Sequence, residues 1–98
     1  MTALPPTEIP SGNELRIMRK ELGLSQSELA NALGFGPHGA KVVRDWEYGF
    51  RGDLPFKPTL TVWAAFRYLT LLVCIYRQLD PTDPTADWLR GSLPASLR

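Results

Sequence analysis

The sequence predicts an all-α fold, a helix-turn-helix bundle of about five helices with a long apolar C-terminal helix. Two observations carry this expectation. Between Leu15 and Glu47 the residues fall into three short amphipathic patterns with tight joints, the arrangement of a helix-turn-helix. From Pro58 to about Leu79 they form one long apolar helical pattern. The chain divides accordingly into a flexible N-terminal arm (residues 1–10), a helix-turn-helix unit (11–58) and a C-terminal helical segment for packing and dimerisation (59–98).

The arm contains Pro5, Pro6 and Pro10 and is expected to be extended or disordered. It lacks the Arg or Lys that an arm reaching into DNA needs. Ser11 or Asn13 caps the first helix, with Glu14 near its positive end. Leu15, Met18 and Leu22 make the inward stripe, and Gly23 ends it. Ser25 caps the second helix and forms a capping box with Glu28. Leu29 and Leu33 share a face, Ala30 lets backbones approach, and Gly34 can take the left-handed cap, which gives a helix from about Gln26 to Leu33.

Gly36-Pro37 reads as the start of the third helix, because Pro at the first helical position loses no needed hydrogen bond. Ala40, Val43 and Trp46/Glu47 then face inward. His38, Lys41, Val42, Arg44 and Asp45 are left outside or at the edge, and Gly49 terminates the helix. An apolar back with a front of His, Lys and Arg suits a major groove. Lys41 and Arg44 are the best contacts to guanine or phosphate, His38 lies where such a helix first meets base edges, and Val42 can meet a thymine methyl. Asp45 repels phosphate unless it orients an arginine or accepts from cytosine. His38 as a metal ligand or catalytic base has no partner in the sequence.

In combination, Leu15-Arg16…Arg19…Gly23-Leu24-Ser25-Gln26…Glu28-Leu29-Ala30…Leu33-Gly34…Val43…Trp46-Glu47…Gly49…Arg51 resembles the lambda-repressor/Cro type of helix-turn-helix, the Xre family. The resemblance spans roughly residues 13 to 60. It implies that Arg19 pairs with Glu47 and ties the first helix to the end of the third; otherwise these are two unrelated surface charges. It implies that Gln26 touches the DNA backbone and braces the recognition helix, a role that the free N–H groups there would support; otherwise Gln26 is a solvated helix former. The sequence departs from the family in the joint Phe35-Gly36-Pro37-His38-Gly39-Ala40. This is longer than usual and either lengthens the turn or adds a turn to the recognition helix.

Tyr48 to Pro58 reads as a loop, from which Arg51 and Lys57 can reach phosphates. A β wing there would be short, since Asp53-Leu54-Pro55 does not read as a strand. In the long helix Arg67, Thr70, Cys74, Arg77 and Gln78 make one narrow polar seam. Apolar residues cover most of the rest, more than one small domain can bury. Phe66, Leu69, Leu72, Val73 and Tyr76 are therefore expected at a dimer interface. Arg67 at the centre of a short apolar run argues against a membrane span. Asp80-Pro81-Thr82-Asp83-Pro84-Thr85 stops this helix and starts a last one through Trp88 and Leu89, ended by Gly91. Trp88, Leu89, Leu93 and Leu97 either fold over the protomer's core or embrace a partner.

Composition bounds the function. The chain has 98 residues, 44% hydrophobic, with a formal charge of +1, so any DNA-binding charge must be local. Four cations (Lys41, Arg44, Arg51, Lys57) face three acids (Asp45, Glu47, Asp53) between Pro37 and Lys57, and an internal, paired Glu47 leaves the surface more positive. Cys74 is the only cysteine and His38 the only histidine, so no disulfide, metal site or cofactor is expected. No leader precedes the first helix, and the expected location is cytoplasmic; the resemblance adds a bacterial or phage-encoded, nucleoid-associated protein. The expected function is that of a sequence-specific double-stranded DNA-binding regulator of transcription, a repressor acting as a homodimer on a palindromic operator. The alternative is an antitoxin-like interaction module whose apolar C-terminal segment binds a partner protein. An enzyme finds no nucleophile motif or phosphate-cradling loop.

Overall fold

The computed structural model describes residues 8–98, which form five α-helices and two short strands. Most of the arm expected at the N-terminus lies outside the described residues. Its last part is docked, with Ile9 packed against the core and Pro10 buried.

Helix α1 is Gly12–Glu21, and Ser11 supplies the cap by accepting from the Glu14 N–H at 3.3 Å. Helix α2 is Gln26–Ala32. Both arms of its capping box are made: Ser25 Oγ accepts from the Glu28 N–H at 3.0 Å, and Glu28 Oε1 accepts from the Ser25 N–H at 2.9 Å. Helix α3 is Gly39–Tyr48, ended by Gly49 at φ 93°. It starts two positions later than Pro37 was expected to start it, so the extra residues of the joint lengthen the turn instead of the helix. The reason is a close crossing. A Cβ on Gly39 would lie 2.6 Å from Phe35 Cβ and 2.7 Å from Ala30 Cβ, so α3 begins where its backbone meets α2. A Cβ on Gly12 would lie 2.5 Å from the Trp46 and Glu47 carbonyl oxygens, which presses the start of α1 onto the end of α3.

A β-hairpin follows α3 directly. Strand β1 (Phe50–Arg51) pairs antiparallel with β2 (Leu54–Pro55), Phe50 opposite Pro55 and Arg51 opposite Leu54. Gly52 at φ 63° makes the two-residue turn possible. The loop expected here is thus a short wing. Pro55 is tolerated because a two-stranded sheet consists of edges, where a missing donor need cost no ladder bond.

Helix α4 is Leu60–Gln78; Thr59, not Pro58, starts it, accepting from the Val62 N–H at 3.2 Å. By length and composition alone α4 could cross a membrane. One face is interior, however: Trp63, Phe66, Leu69, Thr70 and Val73 are buried. Trp63, Phe66, Leu69 and Val73 join Leu15, Leu22, Leu24, Leu29, Val43 and Trp46 in one cluster. This corrects the expectation for three of the residues placed at a dimer interface. Phe66, Leu69 and Val73 belong to the protomer's own core, and Leu72 and Tyr76 pack half-buried against it. Phe66, Leu69 and Val73 are therefore not a free dimer face. The polar seam is split between interior and surface. Thr70 is buried and donates to the Phe66 carbonyl at 2.8 Å, and Arg77 turns toward α1, donating to the Glu21 and Leu22 carbonyls at 3.3 and 2.9 Å.

Helix α5 is Pro84–Ser92, capped by Asp83, which accepts from the Thr85 N–H at 2.8 Å. It runs one residue past Gly91, the expected stop. Leu89, Leu93 and Leu97 are buried, the last two in the common cluster, so the tail folds over the protomer's core; Trp88 stays exposed.

Candidate nucleic-acid interface

The outward side of α3 follows from its inward side. Val43 and Trp46 are buried, and Trp46 meets the Phe35 ring edge-on at 5.4 Å. A helix that commits these residues to the core must turn the opposite arc to solvent. Lys41 and Arg44 lie on that arc, exposed, and His38 is exposed at the cap position. Val42, expected outside or at the edge, is half-buried and packs against the core. Tyr48 is a residue the sequence reading missed: it is 76% exposed and stands against Phe50 at 6.2 Å. Its spacing, four after Arg44 and seven after Lys41, was the available signal.

Asp45 pairs with two arginines. Its side chain is 13% exposed, with Arg51 Nε at 3.2 Å and Arg44 Nε at 3.8 Å. Arg51 also lies over the Phe56 ring, 3.9 Å from its centre. Two guanidiniums share one carboxylate, so the cluster is net positive, and the hairpin's arginine is tied to the outer face of α3. The Phe56 N–H donates to the Gly49 carbonyl at 2.9 Å, which closes the hairpin base on the end of α3. Lys57 is exposed just beyond, and neither it nor Lys41 has an ion pair among the described residues.

Behind this face Glu47 is internal and paired. Arg19 Nε meets Glu47 Oε2 at 2.6 Å and Arg19 Nη2 meets Oε1 at 3.0 Å, a two-pronged contact between side chains 10% and 7% exposed. Arg19 Nη1 also donates to the Leu24 carbonyl at 2.8 Å. Gln26 joins them, its Nε2 donating to Glu47 Oε1 at 3.3 Å. One cluster thus locks the end of α1, the start of α2 and the end of α3.

The expected site residues therefore fall into two connected groups, Arg19–Gln26–Glu47 inside and Arg44–Asp45–Arg51 outside. Among the described residues, exposed Lys41, His38 and Lys57 join neither group. No group of three or more His, Cys, Asp and Glu among the described residues could hold a metal. Searches of known protein families, curated proteins and solved structures return no match to this chain.

Proposed function

We propose that the chain is a sequence-specific double-stranded DNA-binding regulator of transcription, a helix-turn-helix of the lambda-repressor type in which α3 is the recognition helix. One observation carries the reading: α3 puts Val43 and Trp46 into the core and keeps Lys41, Arg44 and the Asp45-held Arg51 outside. Lys41 and Arg44 then read base edges or grip phosphate, and His38 and Tyr48 flank them. Arg51 and Lys57 hold phosphates beside the groove. Gln26, fixed by Glu47, keeps an amide hydrogen for a phosphate at the start of α2, where the free N–H groups of the helix add to it. The Arg19–Glu47 pair braces α1 against the end of α3, and the Gln26–Glu47 bond ties the start of α2 to the same carboxylate.

Repression by occupying a promoter, with the bacterial cytoplasm as its place of action, belongs to the proposal. So does binding as two copies on a palindromic site. Of the five α4 residues named from sequence for that contact, Phe66, Leu69 and Val73 are buried in the protomer's own core, and Leu72 and Tyr76 are half-buried.

The test begins with selection of bound fragments from random DNA, followed by gel-shift titration of the selected site. The Lys41→Ala/Arg44→Ala double variant is expected to lose about tenfold to several hundredfold in affinity with its helical circular dichroism unchanged. Affinity of the wild type is expected to fall steeply with added salt. A folded double variant that binds as tightly as wild type would overturn the proposal.

A further inference from the structure

A second surface lies on the far side of α4. The helix buries Trp63, Phe66, Leu69, Thr70 and Val73. By helical periodicity, Leu60, Ala64, Tyr68, Leu71 and Ile75 form a stripe on the opposite side, recurring every three or four residues. Leu60 is 72% exposed, Tyr68 63% and Ile75 49%. The stripe is about 22 Å long at the helical rise. An apolar band exposed at Leu60, Ala64, Tyr68 and Ile75 and half-buried at Leu71 favours an interaction site.

Arg67 borders the stripe, one turn from Ala64 and from Leu71. Its side chain is half-buried, its Nε is buried, and that nitrogen has no hydrogen-bond acceptor. Among the described residues it has no ion pair. The other cation of α4, Arg77, is engaged by the α1 carbonyls, and α4 contains no Asp or Glu. A partly desolvated guanidinium without a counter-charge is an unfavourable arrangement that a carboxylate from outside would relieve.

From this complementarity we infer that α4 docks an amphipathic helix of a different protein, one with an apolar three-four stripe and an Asp or Glu facing Arg67. A second copy fits worse, since its own α4 offers no carboxylate and brings a like charge. An anionic membrane also fits worse. Helices that lie on lipid carry a strongly basic polar face, whereas the face of α4 opposite the stripe is protein core. The inference does not depend on DNA binding.

The experiment uses the full chain and a display library of amphipathic helices of about 20 residues, apolar along one stripe and randomised at the positions flanking its centre. Selected helices are expected to be enriched about tenfold or more in Asp and Glu over Lys and Arg at a flanking position. With the Arg67→Glu variant as bait, that preference is expected to reverse. Tyr68→Lys is expected to abolish capture while leaving the thermal melt and any DNA shift unchanged, which separates this failure from failure of the DNA reading. Selection of no helix, or of helices indifferent to Arg67→Glu, would overturn the inference. So would a dimer in light scattering that Tyr68→Lys makes monomeric, or binding to phosphatidylserine vesicles that the same change removes.

Discussion

In α3, Val43 and Trp46 are interior, and Lys41 and Arg44 are in water. In α4, Phe66 and Val73 are equally interior, yet Leu60, Tyr68 and Ile75 on its other side are in water too. The first helix is sorted by polarity around its whole circumference. The second is apolar nearly all round and is covered on one side only. A helix sorted like α3 shows its surface function by charge. A helix like α4 shows where the molecule is unfinished, because apolar area left in water favours association. The contrast also separates two tasks. The trio of short helices displays cations on a braced frame, and α4 uses one face to support that frame and leaves the other open.

The sharpest way to break this comparison is to truncate the two faces of α4. Phe66→Ala should cost about 3–5 kcal/mol of stability, and Tyr68→Ala less than about 0.5 kcal/mol, both read from urea unfolding midpoints. Equal effects would mean that the helix has no distinct inner and outer sides. Next in size is the brace. Glu47→Ala strands Arg19 beside the Leu24 carbonyl and should cost about 3 kcal/mol, again by urea unfolding; a loss under about 1 kcal/mol would place the pair among ordinary surface ion pairs. Ser25→Ala removes one arm of the α2 capping box and should cost about 1 kcal/mol, measured as a drop in melting temperature.

The smallest effect lies in the turn after α4. Asp80 Oδ1 accepts from the Thr82 N–H at 2.9 Å and from its hydroxyl at 2.8 Å. These bonds, the backbone one foremost, hold the Asp80 carboxyl below its ordinary range. A carboxyl lowered on folding contributes stability above its unfolded pKa and loses it as pH falls through the folded one. Asp80→Asn should therefore flatten the acid side of the stability–pH curve slightly, with a small loss of melting temperature at neutral pH that vanishes in acid. A melt series from neutral to acidic pH checks it.

Much of the fold was legible because its signals are local. Ser25 and Glu28 lie three residues apart and make the capping box that the spacing predicts. Asp83-Pro84 starts α5 as the same kind of signal indicates. The Arg19–Glu47 contact spans distant positions and was read through a family resemblance, not through spacing. The candidate site was legible in part. The exposure of Lys41 and Arg44 could be read from the apolar back of their helix, whereas the Asp45–Arg51 contact depends on a hairpin whose strands are two residues each, too short to leave a periodic trace.

Periodicity, caps and breakers were enough, by themselves, to place the helices and to mark which residues of α3 turn inward, because each signal acts within one or two turns of backbone. Where α3 begins was decided in three dimensions, by the contact of Gly39 with Phe35 and Ala30. The role of α4 was decided there as well. A helix apolar on both sides carries no internal instruction about which side to bury, and the surface formed by Leu15, Leu22 and Trp46 makes that choice for it.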